Sequence, residues 1–306
     1  MIAWNCLIIA LDYMNKVIKI LITALALYVC SMQLNIFSIR EMLNNLNYLF
    51  LIPIFVSIIC HLYFLALRWH YLNKTLHIKQ SKKKIYYATF YGFALNQILP
   101  TSIGGDGYRV YKLKQFKNKI MNSIYAVTLD RFFGLYFLVL ITMLSSFYLG
   151  KINILFLFLS LTIFSIFVIS FIIFLINIQV KNKVVNFFFK LNYDLNSIIF
   201  SKNNSSIIVF SIISKFFNIL IFLFTLYLLN FDITLDKILI IPLILFFGSL
   251  PISFAGWGLR EGVSIYLFSF LYIDINQSFT VSFMFGFLQL MFALFVFILN
   301  LLYAEK

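Results

Sequence analysis

Two arginines carry the most chemical promise in this sequence. Arg109 closes the stretch LPTSIGGDGYR at 99–109, and Arg260 closes LPISFAGWGLR at 250–260. The stretches agree at Leu, Pro, Ser, two glycines and Arg in the same order, and both interrupt long apolar runs. A guanidinium offers paired donors whose fork matches a phosphate or carboxylate. Gly104, Gly105, Gly256 and Gly258 let the main chain approach a ligand closely. A half-helix beginning after such a break turns its free N–H groups toward an anion. These residues therefore predict an anion-binding point at each break.

Arginine usage points the same way. The chain has 19 Lys and five Arg, so a basic group needed only for charge is usually Lys here. Arg109, Arg131 and Arg260 nevertheless fall in the breaks or inside an apolar run, where each costs ~2.5–3.5 kcal/mol to insert. Two roles are open to them: ligand contact, or ion pairs that hold helices together. Asp106, three residues before Arg109, can pair with it on a helix. Asp130 and Arg131 are neighbours, as are Arg260 and Glu261; neighbouring side chains point apart, so their partners are expected on other helices. Asp106, Asp130 and Glu261 are candidates for counter-ion, proton or substrate sites. Asn96, Gln97, Ser102 and Ser253 could line a cavity or cap the breaks. Lys215, inside an apolar run, is read as facing the protein interior. There is no Ser-His-Asp set or phosphate loop, and neither Cys6, Cys30 and Cys60 nor His61, His70 and His77 have metal-ligand spacing. No metal and no cofactor are expected.

The elements that must position these residues are membrane helices. The chain is 63% hydrophobic with mean hydropathy +0.99, and 11% charged, against about 25% charged in soluble domains. The net charge of +14 sits in short loops beside apolar runs, which is the positive-inside pattern and argues against nucleic acid as a partner. Six runs are long enough to cross a bilayer: roughly 15–34, 48–67, 122–149, 152–178, 205–230 and 276–303. Arg68, Lys74, Lys79 and Lys82–Lys84 follow the second run and read as a cytoplasmic loop, and both termini are expected on that side of a bacterial inner membrane. The first 13 residues sit awkwardly before MNKVIKILITALALYVC, whose Lys16 and Lys19 flank an uninterrupted span, so translation is expected to begin at Met14.

Between the basic loops before and after the first break there are about 25 residues, too few for two spans of about 20 each. A re-entrant helical hairpin fits, and 238–273 supplies a second. Three full crossings separate the hairpins, so they should enter from opposite faces. The expected fold is thus an all-α polytopic protein with about six transmembrane helices and two broken hairpins. A first repeat at 48–149 recurs inverted at 205–303, with 150–204 as linker and 14–306 as one transmembrane domain. Inverted repeats with discontinuous helices at the midplane are a transporter plan.

LNQILPTSIGGDGYRVYKLK, LDRFFGLYFL and LPISFAGWGLREGVSIYLF resemble, in order, the transmembrane domain of lysylphosphatidylglycerol synthases and its stand-alone, flippase-like relatives. The resemblance covers the chain from about Met14 and implies translocation of an anionic lipid head group, such as an aminoacyl-phospholipid or a polyprenyl-phosphate-linked sugar, in envelope biogenesis. It makes Arg109, Asp106, Asp130, Arg131, Arg260 and Glu261 the motif positions to test. The synthases' cytosolic transferase domain has no counterpart in this sequence, which argues against aminoacyl transfer by this chain itself. Whether it is an enzyme stays open, the enzymatic option being an aminoacyl- or glycosyltransferase acting on a membrane lipid. A soluble aminoacyl- or glycosyltransferase is a partner option, as is a homo-oligomer. The alternative implied is a membrane-embedded lipid transferase subunit, or a scaffold for one.

Overall fold

The computed structural model describes residues 34–99, 104–116, 118–151, 153–176, 183–201, 204–250 and 255–304, with isolated positions among 21–32 and Ser253. The proposed start at Met14, Lys16 and Lys19, most of the first apolar run and Ser102 lie outside the described residues. The described residues are helical throughout, with no strand among them. The helices are α1 (Ile36–Asn44), α2 (Leu51–Thr75), α3 (Lys82–Ile98), α4 (Gly104–Lys114), α5 (Ile120–Leu149), α6 (Ile154–Ile176), α7 (Lys183–Phe200), α8 (Ser205–Leu228), α9 (Leu235–Gly248), α10 (Leu259–Ser269) and α11 (Ile275–Ala304).

The apolar runs explain the long helices. Four segments are long and apolar enough to cross a membrane: Tyr48–Thr75, Ile120–Leu149, Ser205–Leu228 and Ile275–Leu302. α6 covers the run expected at 152–178. The chain is a polytopic α-helical membrane protein. Thr142 and Thr225, inside the spans, satisfy their hydroxyls within their own helix: Thr142 Oγ1 donates to the Leu138 carbonyl at 2.8 Å and Thr225 Oγ1 to that of Ile221 at 2.8 Å, a geometry that removes the cost of a bare hydroxyl in hydrocarbon. One expectation changes. Arg68 is not in a loop: α2 continues seven residues past it to Thr75, because Trp69 and Leu72 extend the buried face and Arg68 itself is neutralised, as described below.

The two interrupted segments are each a pair of short helices. α3 has 17 residues and α4 has 11; α9 has 14 and α10 has 11. At 1.5 Å per residue the longest reaches about 26 Å, short of a ~30 Å hydrocarbon core.

The chain packs as two compact units. One holds the described residues up to Val56 together with Phe90–Tyr108 and those from Leu220 onward; the other holds Ser57–Thr89 and Arg109–Ile219. In the first, α10 packs on α9 and α11, and Phe222 meets Phe285 with ring centroids 5.1 Å apart. In the second, the core is Leu72, Leu129, Phe133 and Phe137 against Leu191, Leu195 and Ile198 on the apolar face of α7.

Candidate functional site

At the first break, the start of α4 is laid directly on α3. A Cβ at Gly105 would sit 1.8 Å from the Gly92 carbonyl oxygen, so only glycine permits this approach. The Gly105 N–H donates to Asn96 Oδ1 at 2.8 Å, and the Tyr91 and Tyr108 rings meet edge-on at 4.8 Å. Asn96 therefore caps α4 with its amide oxygen. Gly104 opens the helix, and buried Asp106 lies in its first turn, where the positive end of the helix dipole favours a carboxylate.

One turn later the chain reaches Arg109, which is buried. Its Nη2 donates to Asp130 Oδ2 at 2.7 Å, and its guanidinium lies over the Trp69 ring at 3.9 Å. The second oxygen of Asp130 belongs to Arg68: Nε donates to Oδ1 at 2.8 Å, and Nη2 to the Asp130 main-chain carbonyl at 3.1 Å. Arg68 is 2% exposed and Asp130 1%. Two guanidinium groups thus converge on one carboxylate, which bridges α2, α4 and α5. Arg131 follows on α5 and is half-buried. Asp130 does find its partners on other helices, as its neighbour relation to Arg131 implied. Lys215 is half-buried on α8.

The second break is built differently. Gly256 and Gly258 have φ of +83° and +80°, and Ala255 between the breaks' helices has +46°. A Cβ at Gly256 would meet the Gly248 carbonyl at 2.5 Å. Position 256 thus excludes a side chain on two independent grounds, backbone angle and space. Gly256→Ala is expected to lower the unfolding midpoint in detergent by several degrees, consistent with a loss of about 1–3 kcal/mol. Gly107→Ala, where a Cβ meets open space, is the control that should leave the midpoint in place.

Gly258 is the N-cap of α10, and its N–H donates to Glu261 Oε2 at 2.6 Å. That capping bond corrects the expectation that Arg260 and Glu261 part company. Folding back to reach Gly258 carries Glu261 Oε1 over Arg260, whose Nη2 donates to it at 2.7 Å and whose Nε donates at 3.2 Å. Arg260 Nε also meets Ser282 Oγ at 3.2 Å, and Ser282 Oγ donates to Glu261 Oε1 at 3.3 Å. Glu261 is fully buried and Arg260 nearly so. The guanidinium lies so close to Gly286 that a Cβ there would stand 2.1 Å from Nη2, with the Trp257 and Phe285 rings 5.3 and 5.1 Å away. Ser253, in the break, has a buried hydroxyl without a hydrogen-bond partner among the described residues.

The two sites share a plan that the quoted break motifs alone do not contain. Arg109 reaches Asp130, 21 residues on, and Arg260 reaches Ser282, 22 residues on. Each partner is four residues before a glycine that a guanidinium packs against, Gly134 for Arg68 and Gly286 for Arg260. DRFFG at 130–134 and SFMFG at 282–286 are the sequence signal of this correspondence. What differs is the carboxylate: it sits on the long helix in one case, and beside the arginine, as Glu261, in the other. Sequence reading missed Arg68 altogether as a site residue; its signal was an arginine, in a lysine-rich chain, seven residues before the helix ends.

No metal-binding group of three or more His, Cys, Asp or Glu occurs among the described residues. What the arrangement can do is hold an anion beside paired guanidinium groups, or hold broken helices together. No curated protein and no solved structure matches the chain at a significant level. A family model described as the lysylphosphatidylglycerol synthase TM region matches residues 16–296. With nearly the whole chain matched, and with both breaks, both arginines and Asp130 inside the match, the protein belongs to the lysylphosphatidylglycerol synthase transmembrane-region family.

Proposed function

We propose that the protein is a lipid translocase of a cytoplasmic membrane, moving a lipid with an anionic head group by way of an inverted pair of broken-helix repeats. The observation that carries this reading is the buried meeting of Arg68 and Arg109 on Asp130. Two guanidinium groups sharing one carboxylate inside a membrane span are costly for a purely structural protein, and intramembrane ionisable groups ordinarily mark a substrate or ion pathway. Membership of a family of lipid-related membrane domains supports a lipid as the cargo. The Arg260–Glu261 pair is internally neutral and capped, which fits a lock on the second break better than a second head-group contact. The natural cargoes to try are aminoacyl-phospholipids and polyprenyl-phosphate-linked sugars, supplied by a soluble aminoacyl- or glycosyltransferase.

The test is transbilayer movement of labelled lipids in proteoliposomes. Anionic lipids are expected to move with wild-type protein, and Arg109→Ala, in protein shown to be folded, to slow the movement by at least about tenfold, the scale of one charge-assisted hydrogen bond. Folded wild-type protein that moves none of these lipids would sink the translocase reading and favour a subunit of a lipid transferase.

A further inference from the structure

The Arg68–Asp130–Arg109 cluster leaves a set of polar groups unused. On α2, Arg68 Nη1, Trp69 Nε1, His70 Nδ1 and both amide atoms of Asn73 are buried and have no hydrogen-bond partner among the described residues; Arg68, Trp69 and Asn73 are the three whose whole residues are buried. Arg68 is 2% exposed, and Trp69 and Asn73 are fully buried. All three residues fall within about one and a half turns of α2. Buried polar groups are almost always paired, and each orphan calls for its own explanation, an absent ligand or water among them. Leaving one bare costs free energy that no neighbouring contact returns. Several orphans on one stretch of helix, beside two guanidinium groups, imply a shared partner that is not part of the protein.

The chemistry of the orphans defines that partner. Arg68 Nη1, Trp69 Nε1 and Asn73 Nδ2 are donors, and one of them is charged. Trp69 also carries the Arg109 guanidinium on its ring, so the donors adjoin the positive centre. A tetrahedral oxyanion, with several acceptor oxygens and a charge matched by arginine, uses such donors together. Asn73 Oδ1, an acceptor, suits the proton of a head-group hydroxyl or of a singly protonated phosphate. We propose that Arg68, Trp69 and Asn73 line a binding site for a phosphate group, with Arg68 as its principal charged donor and Asp130 positioning it. The site is closed in the structure, and Arg109 forms its cover. Its contact with the Trp69 face is a stacking one, and admission of the ligand displaces the guanidinium from that face. The inference deepens the translocase reading, on which it rests only for the source of the phosphate: a lipid head group.

The test uses the full chain in neutral detergent micelles, with its three tryptophans labelled at the indole nitrogen. Loss of one indole NMR signal in Trp69→Phe assigns that residue. Dioctanoyl-phosphatidylglycerol, inorganic phosphate and dioctanoylglycerol are titrated in separate arms. The expected result is a saturable downfield shift of the Trp69 N–H proton with the phospholipid and none with the phosphate-free lipid. Arg68→Gln should weaken the apparent affinity about tenfold and Asn73→Ala by a smaller factor, while both retain the dispersed indole spectrum of folded protein. Saturation by inorganic phosphate alone would keep the site and replace the lipid with a soluble anion. A Trp69 signal unmoved by either phosphate source, or an Arg68→Gln variant of unchanged affinity, would overturn the proposal. Lipid movement in proteoliposomes without a Trp69 response would reject this site and leave the translocase reading standing; a Trp69 response without movement would do the reverse.

Discussion

Asp130→Asn is expected to be the most damaging single substitution in this protein, with a loss of about 3–5 kcal/mol, the range seen when one partner of a buried ion pair is removed. Asp130 is 1% exposed and supplies both carboxylate oxygens to different arginines, Oδ1 to Arg68 and Oδ2 to Arg109. Asparagine keeps the volume and loses the charge, and its amide nitrogen turns a donor toward a guanidinium. The variant should show a large drop in unfolding midpoint by size-exclusion after heating, and lipid movement at background. The mechanism has a specific signature. If the loss comes from stranding two charges, then adding Arg68→Met and Arg109→Met to Asp130→Asn should return much of the lost midpoint, since an apolar replacement of a whole buried ion cluster is often neutral for stability. Transport should stay at background, because the donors are gone. A triple variant no more stable than Asp130→Asn would mean that the aspartate matters through packing, and the charge argument would fail.

That cluster also marks where sequence reading stops. The broken helices were legible because glycine, proline and an arginine recur in order at 99–109 and 250–260, and because short helical arms between basic flanks cannot cross a bilayer twice. Arg109, Asp130 and Arg260 stood out for the same reason: a charge inside an apolar run needs an explanation. Arg68 did not stand out, because a basic residue at the end of an apolar run is what the positive-inside pattern expects in a loop. Only the pairing with Asp130, 62 residues away, separates an intramembrane arginine from a flanking one. The Arg260–Glu261 pair was hidden for a local reason. Adjacent side chains diverge in the middle of a helix, but at its first turn a glutamate that folds back to cap Gly258 reverses direction, and that depends on where the helix begins. The cargo of the proposed translocase was not legible at all, since guanidinium groups recognise the phosphate common to many head groups.

Gly105→Ala is the second substitution with a large expected effect, and it separates the geometry of the first break from its charges. The added methyl would need to occupy a point 1.8 Å from the Gly92 carbonyl oxygen and 2.8 Å from Asn96 Cγ. A flexible side chain could move away from such a clash; a helix carbonyl cannot without shifting α3. The two arms must therefore separate. Separation also breaks the Gly105 N–H bond to Asn96 Oδ1, which removes the side-chain cap of α4. Overpacking against backbone belongs at the upper end of the usual 1–3 kcal/mol, or about 3 kcal/mol here. The effect should propagate in one direction. Arg109 lies one turn along α4 from Gly105, so a displaced helix start moves the guanidinium off Asp130 while Arg68 keeps its own two bonds to that residue. The expected result is lost transport with a smaller fall in midpoint than in Asp130→Asn. Asn96→Ala, which removes the cap without adding volume, should cost about 1 kcal/mol, the usual value of an N-cap side chain, and retain most of the transport. If Gly105→Ala instead behaves like Asn96→Ala, the close approach of the two arms is not what places Arg109, and the position of α4 must be set by the ion cluster itself.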